Sequence, residues 1–124
     1  MKKIAVIGLG YVGLPLGLNF ARAGAKVIGL DIDPEKVKAL NAGQSYIKHI
    51  SEGEVAEAVA KGNFRASTDF SLIQSEAVDA VIICVPTPLT KQREPDISFI
   101  LDTGREMAPY LQRGMVVVLE STTF

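Results

Sequence analysis

The feature that most constrains this chain is a glycine-rich hexapeptide between an apolar run and an amphipathic helix pattern. Gly8-Leu9-Gly10-Tyr11-Val12-Gly13 follows the β-branched run Lys3–Ile7, and apolar residues then return at helical spacing as far as Arg22. A buried strand, a G-x-G-x-x-G turn and a helix in this order are typical of dinucleotide binding, because the turn lets backbone approach a pyrophosphate at a helix N-terminus. We therefore predict a dinucleotide-binding set of Gly8, Gly10, Tyr11, Val12 and Gly13.

An acidic residue stands where the second strand is predicted to end. Residues 25–30 form another apolar run, and Asp31 follows it, 18 residues after Gly13, near the expected interval of about 20. A carboxylate there accepts hydrogen bonds from the adenosine ribose hydroxyls and repels a 2′-phosphate, which favours NAD over NADP. Asp33 is a rival for this role, but Pro34 behind it indicates a helix cap instead.

Three readings of this region stay open. A tight strand–helix turn without a ligand has the same pattern, and FAD sites share the fingerprint. Lys36 is as compatible with contact to the adenosine end of the cofactor as with a solvated helix position.

The rest of the chain continues the alternation of strands and helices. Strands are predicted at 64–67, 80–85 and 115–119, and helices after Asp33, after Ser51 and over roughly 97–110. Such short connections suit parallel βαβ units. The prediction is an α/β fold, a doubly wound, mostly parallel sheet of Rossmann type in strand order 3-2-1-4-5. We expect one domain, 1–124, that is a fragment truncated near the end of its fifth strand.

Composition excludes several other classes of function. The chain has 124 residues, 13 Lys plus Arg against 14 Asp plus Glu, and a net charge of −1, so no basic surface for nucleic acid is expected. One histidine, His49, and one cysteine, Cys84, make neither a metal site nor an internal disulfide. Glycines and Pro15 interrupt the N-terminal apolar stretch, which argues against an export signal or a membrane span. We therefore expect a cytoplasmic protein with no metal and no membrane partner.

Two later loops are predicted at the same edge of the sheet as the glycine loop. Residues 84–90, Cys-Val-Pro-Thr-Pro-Leu-Thr, follow the fourth strand, and Thr87 there can offer a hydroxyl and an amide to the cofactor. A proline-stiffened surface turn is the alternative. Residues 120–123 carry three hydroxyls after the fifth strand, or are simply a strand end.

Four motifs together resemble a known family. G-L-G-Y-V-G-L-P-L, L-D-I-D, C-V-P-T-P-L-T-K-Q-R-E-P-D and V-V-L-E-S-T-T-F occur in the order found in the N-terminal domain of the UDP-glucose/GDP-mannose dehydrogenase family. The resemblance covers essentially the whole chain. K-Q-R-E-P-D and E-S-T-T further resemble the branch that oxidises UDP-N-acetylglucosamine or UDP-N-acetylmannosamine.

The resemblance implies an NAD-dependent oxidoreductase that converts the C6 alcohol of a UDP-N-acetylhexosamine to the uronate in two hydride transfers, for polysaccharide biosynthesis. It also implies homo-oligomers formed through segments missing here, and a nucleophilic cysteine beyond residue 124. By position, Asp31 matches the ribose-binding residue, Lys36 a basic residue near the adenosine, and Thr87 a cofactor contact. Thr122 matches a threonine near the nicotinamide that helps to hold a catalytic water. This chain alone should bind cofactor and catalyse nothing.

Other interpretations follow from the same residues. The chain could be the cofactor domain of another β-hydroxyacid-type dehydrogenase, or a non-enzymatic NAD-sensing module. Cys84 lies inside a predicted strand and is interpreted as a structural residue, and the loop 91–94 as solvated. Tyr46, Ile47 and Ile50 fall outside any clear periodicity, so we hypothesise that their segment packs on a missing part of the enzyme.

Overall fold

A computed structural model describes residues 2–48, 50–85, 91–94 and 97–120. Strands and helices alternate along the chain. In order they are β1 (Lys3–Ile7), α1 (Gly13–Arg22), β2 (Lys26–Leu30), α2 (Pro34–Asn41), α3 (Glu52–Ala60), β3 (Phe64–Ser67), α4 (Leu72–Ser75), β4 (Ala80–Ile83), α5 (Ser98–Met107), a 3₁₀ turn (Ala108–Tyr110) and β5 (Val116–Leu119).

The five strands form one parallel sheet in the order β3-β2-β1-β4-β5. The predicted doubly wound α/β fold and its strand order 3-2-1-4-5 are confirmed. Ile7 at the end of β1 pairs with Leu30 of β2 and with Ile83 of β4. The carboxyl ends of these three strands therefore lie level at one edge, where the winding direction reverses and ligands bind in folds of this kind.

Alternation along β1, β2 and β4 divides their buried side chains between two cores. In β1, Val6 contributes to the cluster beneath α1, α2 and α3, whereas Ala5 and Ile7 contribute to the cluster beneath α4 and α5. All three side chains are at most 1% exposed. Burial on both faces explains why β1 reads as a continuous apolar run and not as an alternating one.

Local capping fixes where the helices begin. The Asp33 carboxylate accepts the Glu35 N–H at 2.9 Å, with Pro34 in the first turn of α2. Ser51 Oγ accepts the Glu54 N–H at 3.2 Å at the start of α3. Both predicted caps are confirmed.

The structure corrects several details of the prediction. β4 ends at Ile83 and not at residue 85, and the four-residue α4 was missed because one turn is too short to show a helical period. β5 pairs with β4 as predicted but is not buried, since its side chains are 37–58% exposed at the edge of the described sheet. Ile47 and Ile50, expected to face a missing part of the enzyme, lie in the core beneath α1–α3 at 3% and 6% exposure.

No helix in the described ranges is both long and apolar enough to cross a membrane.

Candidate functional site

Two glycines of the loop are required by its packing. Gly8 adopts φ +93°, and its N–H donates to the Leu30 carbonyl at 2.8 Å. A Cβ on Gly8 would lie 2.7 Å from the Cys84 carbonyl oxygen, and a Cβ on Gly13 would lie 1.7 Å from the Gly8 carbonyl oxygen. The turn therefore fits between the ends of β2 and β4 only because both positions lack a side chain.

Gly10 differs from both, because a Cβ placed on it would meet no other described residue within 4 Å, its two chain neighbours aside. The described part of the chain thus leaves this side of the loop open. α1 begins at Gly13, Val12 provides no side-chain cap, and the first turn holds no acidic residue. No acidic side chain of the first turn of α1 therefore neutralises the positive end of the helix dipole. The open side of Gly10 suits a pyrophosphate group, which such a helix N-terminus binds. The neighbouring residue Tyr11 is 75% exposed.

Asp31 is held rigidly next to the loop. Its Oδ2 accepts the Leu9 N–H at 2.8 Å, its Oδ1 accepts the Asp33 N–H at 3.0 Å, and the residue is only 8% exposed. An ionised carboxylate has about four acceptor positions, so these two bonds leave about two for the hydroxyls of a ribose. The chain thus brings together the glycine loop and the acidic residue that sequence spacing paired.

A cleft opens beside Asp31 at the carboxyl edge of the sheet. Its volume is about 230 Å³. Most of its lining is apolar, with a few charged and polar side chains; the residues lining it are Ile7, Gly8, Asp31, Ile32, Asp33, Lys36, Phe70, Val85, Phe99 and Thr103. Apolar and aromatic side chains suit a flat heterocycle, and the Asp31 carboxylate suits a ribose, so the cleft fits the adenosine half of a dinucleotide.

Asp33 and Lys36 both line this cleft, but they make different interactions within the protein. Asp33 caps α2, as predicted. Lys36 lies with its Nζ 5.8 Å from the centroid of the Tyr46 ring. Lys36 is therefore a partly buried residue of the cleft, and its contact with the adenosine end of the cofactor stays a prediction.

Tyr46 is a site-forming residue that sequence reasoning did not assign. Its hydroxyl donates a hydrogen bond to the Leu9 carbonyl, inside the glycine loop. Burial, followed by the charges of Asp31 and Asp33, raises the pKa of the Tyr46 hydroxyl, so it stays a protonated donor at neutral pH. No periodicity marks this position, and only its place in an irregular segment before α3 could have drawn attention to it.

Cys84 lies beneath the loop and is 7% exposed. Burial, with a smaller contribution from Glu120, raises the pKa of the Cys84 thiol to about 11. A protonated, buried thiol is a poor nucleophile, in keeping with the structural role expected for it.

Thr87, Thr122 and His49 lie outside the described residues. The loop 91–94 is described, and all four of its residues are exposed. Among the described residues, no group of three or more His, Cys, Asp or Glu side chains is arranged to hold a metal ion.

Comparison with known proteins assigns the family. Residues 2–124 match the sequence profile of the UDP-glucose/GDP-mannose dehydrogenase family, NAD binding domain. The chain belongs to this family. The resemblance carried by the four motifs is thereby confirmed, and NAD is the cofactor of this family's domain.

Individual members of the family are similar to the chain over almost its whole length. The chain is 41% identical to an NDP-N-acetyl-D-galactosaminuronic acid dehydrogenase of Ralstonia nicotianae, over 98% of this chain and 28% of that protein. It is 40% identical to the UDP-N-acetyl-D-mannosamine dehydrogenase of Escherichia coli K12, over 97% of this chain and 28% of that protein. A solved NDP-N-acetyl-D-galactosaminuronic acid dehydrogenase from Methanosarcina mazei superposes with a TM-score of 0.89 at 38% identity, over 99% of this chain and 28% of the other.

All three are named as dehydrogenases of N-acetylhexosamine or N-acetylhexosaminuronic acid nucleotides, in line with the branch that the K-Q-R-E-P-D and E-S-T-T motifs resemble. The chain spans about 28% of the length of the curated relatives that it matches.

Proposed function

We propose that this chain is the NAD-binding part of a nucleotide-sugar 6-dehydrogenase, which oxidises the C6 alcohol of a UDP-N-acetylhexosamine to a carboxylate. One juxtaposition carries the proposal: the Asp31 carboxylate, which accepts the Leu9 N–H of the glycine loop, lines a cleft together with Gly8 of the same loop. Similarity at about 40% identity to dehydrogenases of N-acetylhexosamine nucleotides supports the substrate class.

Each described element of the site has a binding task. The loop Gly8–Gly13 and the N-terminus of α1 bind the pyrophosphate through backbone N–H groups. Asp31 accepts the ribose hydroxyls, and its charge opposes a 2′-phosphate, so NAD is preferred to NADP. When bound, NAD supplies the hydride acceptor for the oxidation.

The reaction itself needs residues that this chain does not carry. Its one cysteine, Cys84, is buried, and its pKa is raised to about 11. We propose, as the family resemblance implies, that the nucleophile belongs to a segment beyond residue 124. We propose that domain 1–124 holds the cofactor, with Thr87 contacting it and Thr122 supporting a catalytic water. Further domains then supply UDP-sugar binding and homo-oligomer contacts in a cytoplasmic enzyme of polysaccharide biosynthesis.

The oxidation fixes a stoichiometry that can be measured. Converting one CH₂OH group to a carboxylate consumes one water and transfers two hydrides to two NAD molecules. Protein from the whole reading frame is incubated with excess NAD and a limiting amount of one sugar nucleotide: UDP-N-acetylmannosamine, UDP-N-acetylglucosamine, UDP-N-acetylgalactosamine or UDP-glucose. NADH formed per sugar consumed is then counted.

Two NADH per N-acetylhexosamine nucleotide is the expected result. One NADH per sugar would indicate a simple alcohol dehydrogenase, as in the β-hydroxyacid alternative. No turnover of any sugar, with NAD bound, would leave a cofactor-sensing module and contradict the proposal.

A further inference from the structure

Both peptide groups that flank Leu9 are held by side chains from distant parts of the chain. The Leu9 N–H donates to Asp31 at 2.8 Å, and the Leu9 carbonyl accepts the hydroxyl of Tyr46. The Leu9 side chain is fully buried, and it packs against Gly29 so closely that a Cβ there would lie 2.8 Å from Leu9 Cδ2. Leu9 is therefore fixed at three points between the first two glycines of the loop.

The bond from Tyr46 also sets the direction of the next amide. In a trans peptide the carbonyl of one residue and the N–H of the next point in opposite directions. Because Tyr46 holds the Leu9 carbonyl, the Gly10 N–H points away from Tyr46. Gly10 lacks a Cβ and can rotate easily, so without this hydrogen bond the peptide could turn its carbonyl toward an incoming phosphate.

Tyr46 is itself well anchored. The Ser45 Oγ accepts the Ile47 N–H at 3.2 Å and donates to the Ile47 carbonyl at 3.1 Å, which stiffens the backbone around Tyr46. Ile47 and Ile50, which follow Tyr46 in the chain, are buried in the core beneath α1–α3. The centroid of the Tyr46 ring lies 5.8 Å from Nζ of Lys36, a residue that lines the cleft.

We propose that Tyr46 is a positioning residue for cofactor binding: its hydrogen bond to the Leu9 carbonyl presets the Leu9–Gly10 peptide, so that the loop offers N–H groups to the pyrophosphate. This role rests on the proposed function, since it presupposes that the loop binds the pyrophosphate of NAD. Tyr46 acts through the loop and makes no contact with the reacting atoms.

Tyr46→Phe tests the role, because it keeps the ring and removes only the hydroxyl. Binding is measured by calorimetry with ADP-ribose, which has the pyrophosphate, and by competition with adenosine, which lacks it. Losing one hydrogen bond should weaken ADP-ribose and NAD binding by about fivefold to tenfold. Adenosine binding in the cleft should not change.

Tyr110→Phe is the matched control, since Tyr110 packs against the core beneath α4 and α5 and lies away from the loop. It should bind both ligands as the unsubstituted protein does. Equal weakening of adenosine and ADP-ribose by Tyr46→Phe would indicate general loosening and overturn the positioning role. Unchanged ADP-ribose binding would overturn it as well.

Two further measurements keep the test decisive. If Tyr46→Phe fails to fold by circular dichroism, Ser45→Ala replaces it, because it loosens the support of Tyr46 and should weaken ADP-ribose selectively; equal binding would contradict the proposal. In turnover by protein from the whole reading frame, Tyr46→Phe should raise KM for NAD and leave kcat unchanged. If the unsubstituted protein failed to bind NAD, that result would contradict the proposed function itself.

Discussion

At the scale of single residues, a substitution at Gly10 is expected to weaken cofactor binding without affecting folding. Apart from its two chain neighbours, no residue that the structure describes lies within 4 Å of a methyl group placed on Gly10, whereas one on Gly13 lies 1.7 Å from a backbone oxygen. We predict that Gly10→Ala melts at the same temperature as the unsubstituted protein but binds NAD at least about tenfold more weakly, since the methyl occupies pyrophosphate space.

Gly13→Ala is the contrasting variant and should lower the melting temperature as well as NAD affinity. Calorimetry and thermal unfolding of the two variants check this pair. Normal NAD binding by a folded Gly10→Ala would mean that the pyrophosphate does not lie over this residue.

Asp31→Asn tests the acidic residue at nearly constant shape. The amide cannot accept hydrogen bonds on its nitrogen side, where the carboxylate now receives a backbone N–H from Leu9 or Asp33. We expect weaker NAD binding by about 1.5–3 kcal/mol, the range for hydrogen bonds to charged groups, and a smaller preference for NAD over NADP. Titration of both cofactors against the variant measures this, and an unchanged preference would remove Asp31 from the ribose site.

At the scale of elements, α2 owes its start to Asp33 and not to the cofactor. Asp33→Ala removes the acceptor of the Glu35 N–H and should cost about 1 kcal/mol of folding stability. For a domain of this size that lowers the melting temperature by about 4 °C. The affinity for NAD should change by less than about twofold, which is far less than the loss expected for Asp31→Asn.

Ser51→Ala provides the control, because it removes the equivalent cap of α3 far along the chain from the loop. Both variants should lose similar stability in denaturant unfolding. If Asp33→Ala reduced NAD affinity as strongly as Asp31→Asn, Asp33 would be a ribose ligand as well as a helix cap.

The order of the elements was predictable because buried parallel strands are continuous apolar runs and their helices carry clear caps. The run before Gly8 and the cap at Asp33 are local signals, and both are confirmed. Details that depend on tertiary surroundings were not predictable. β5 has the sequence of a buried strand, yet its exposure is decided by what covers it, and Ile47 enters the core from a segment with no period.

At the scale of the whole molecule, the buried thiol of Cys84 ties stability to pH. Its pKa is raised to about 11 in the folded protein, so the folded state keeps a proton that the unfolded state releases at lower pH. The stability linked to Cys84 is complete below the unfolded pKa and is lost as pH rises toward 11. We predict that the free energy of unfolding falls more steeply between about pH 9 and 11 in the unsubstituted protein than in Cys84→Ala.

Urea unfolding at several pH values measures this slope. Tyr46 also has a raised pKa, but it is present in both proteins and cancels in the comparison. Identical slopes would show that the thiol ionises equally easily in the folded and unfolded states.

In the site, as in the fold, local sequence determines some features and the folded chain determines others. Gly8, Gly13 and Asp31 are fixed by turn geometry and by the position of strand ends, so spacing predicts them. Tyr46 reaches Leu9 across 37 positions of sequence, through a loop whose path depends on buried Ile47 and Ile50. A contact of that kind follows from the folded chain, and no motif encodes it.

The central claim is that the glycine loop and Asp31 form an NAD site that rejects NADP. Calorimetric titration of protein from the whole reading frame with NAD, and separately with NADP, tests it most directly. The account predicts one NAD bound per chain and NADP binding at least about tenfold weaker, because Asp31 repels a 2′-phosphate. Equal or tighter binding of NADP, or no binding of either cofactor, would contradict it.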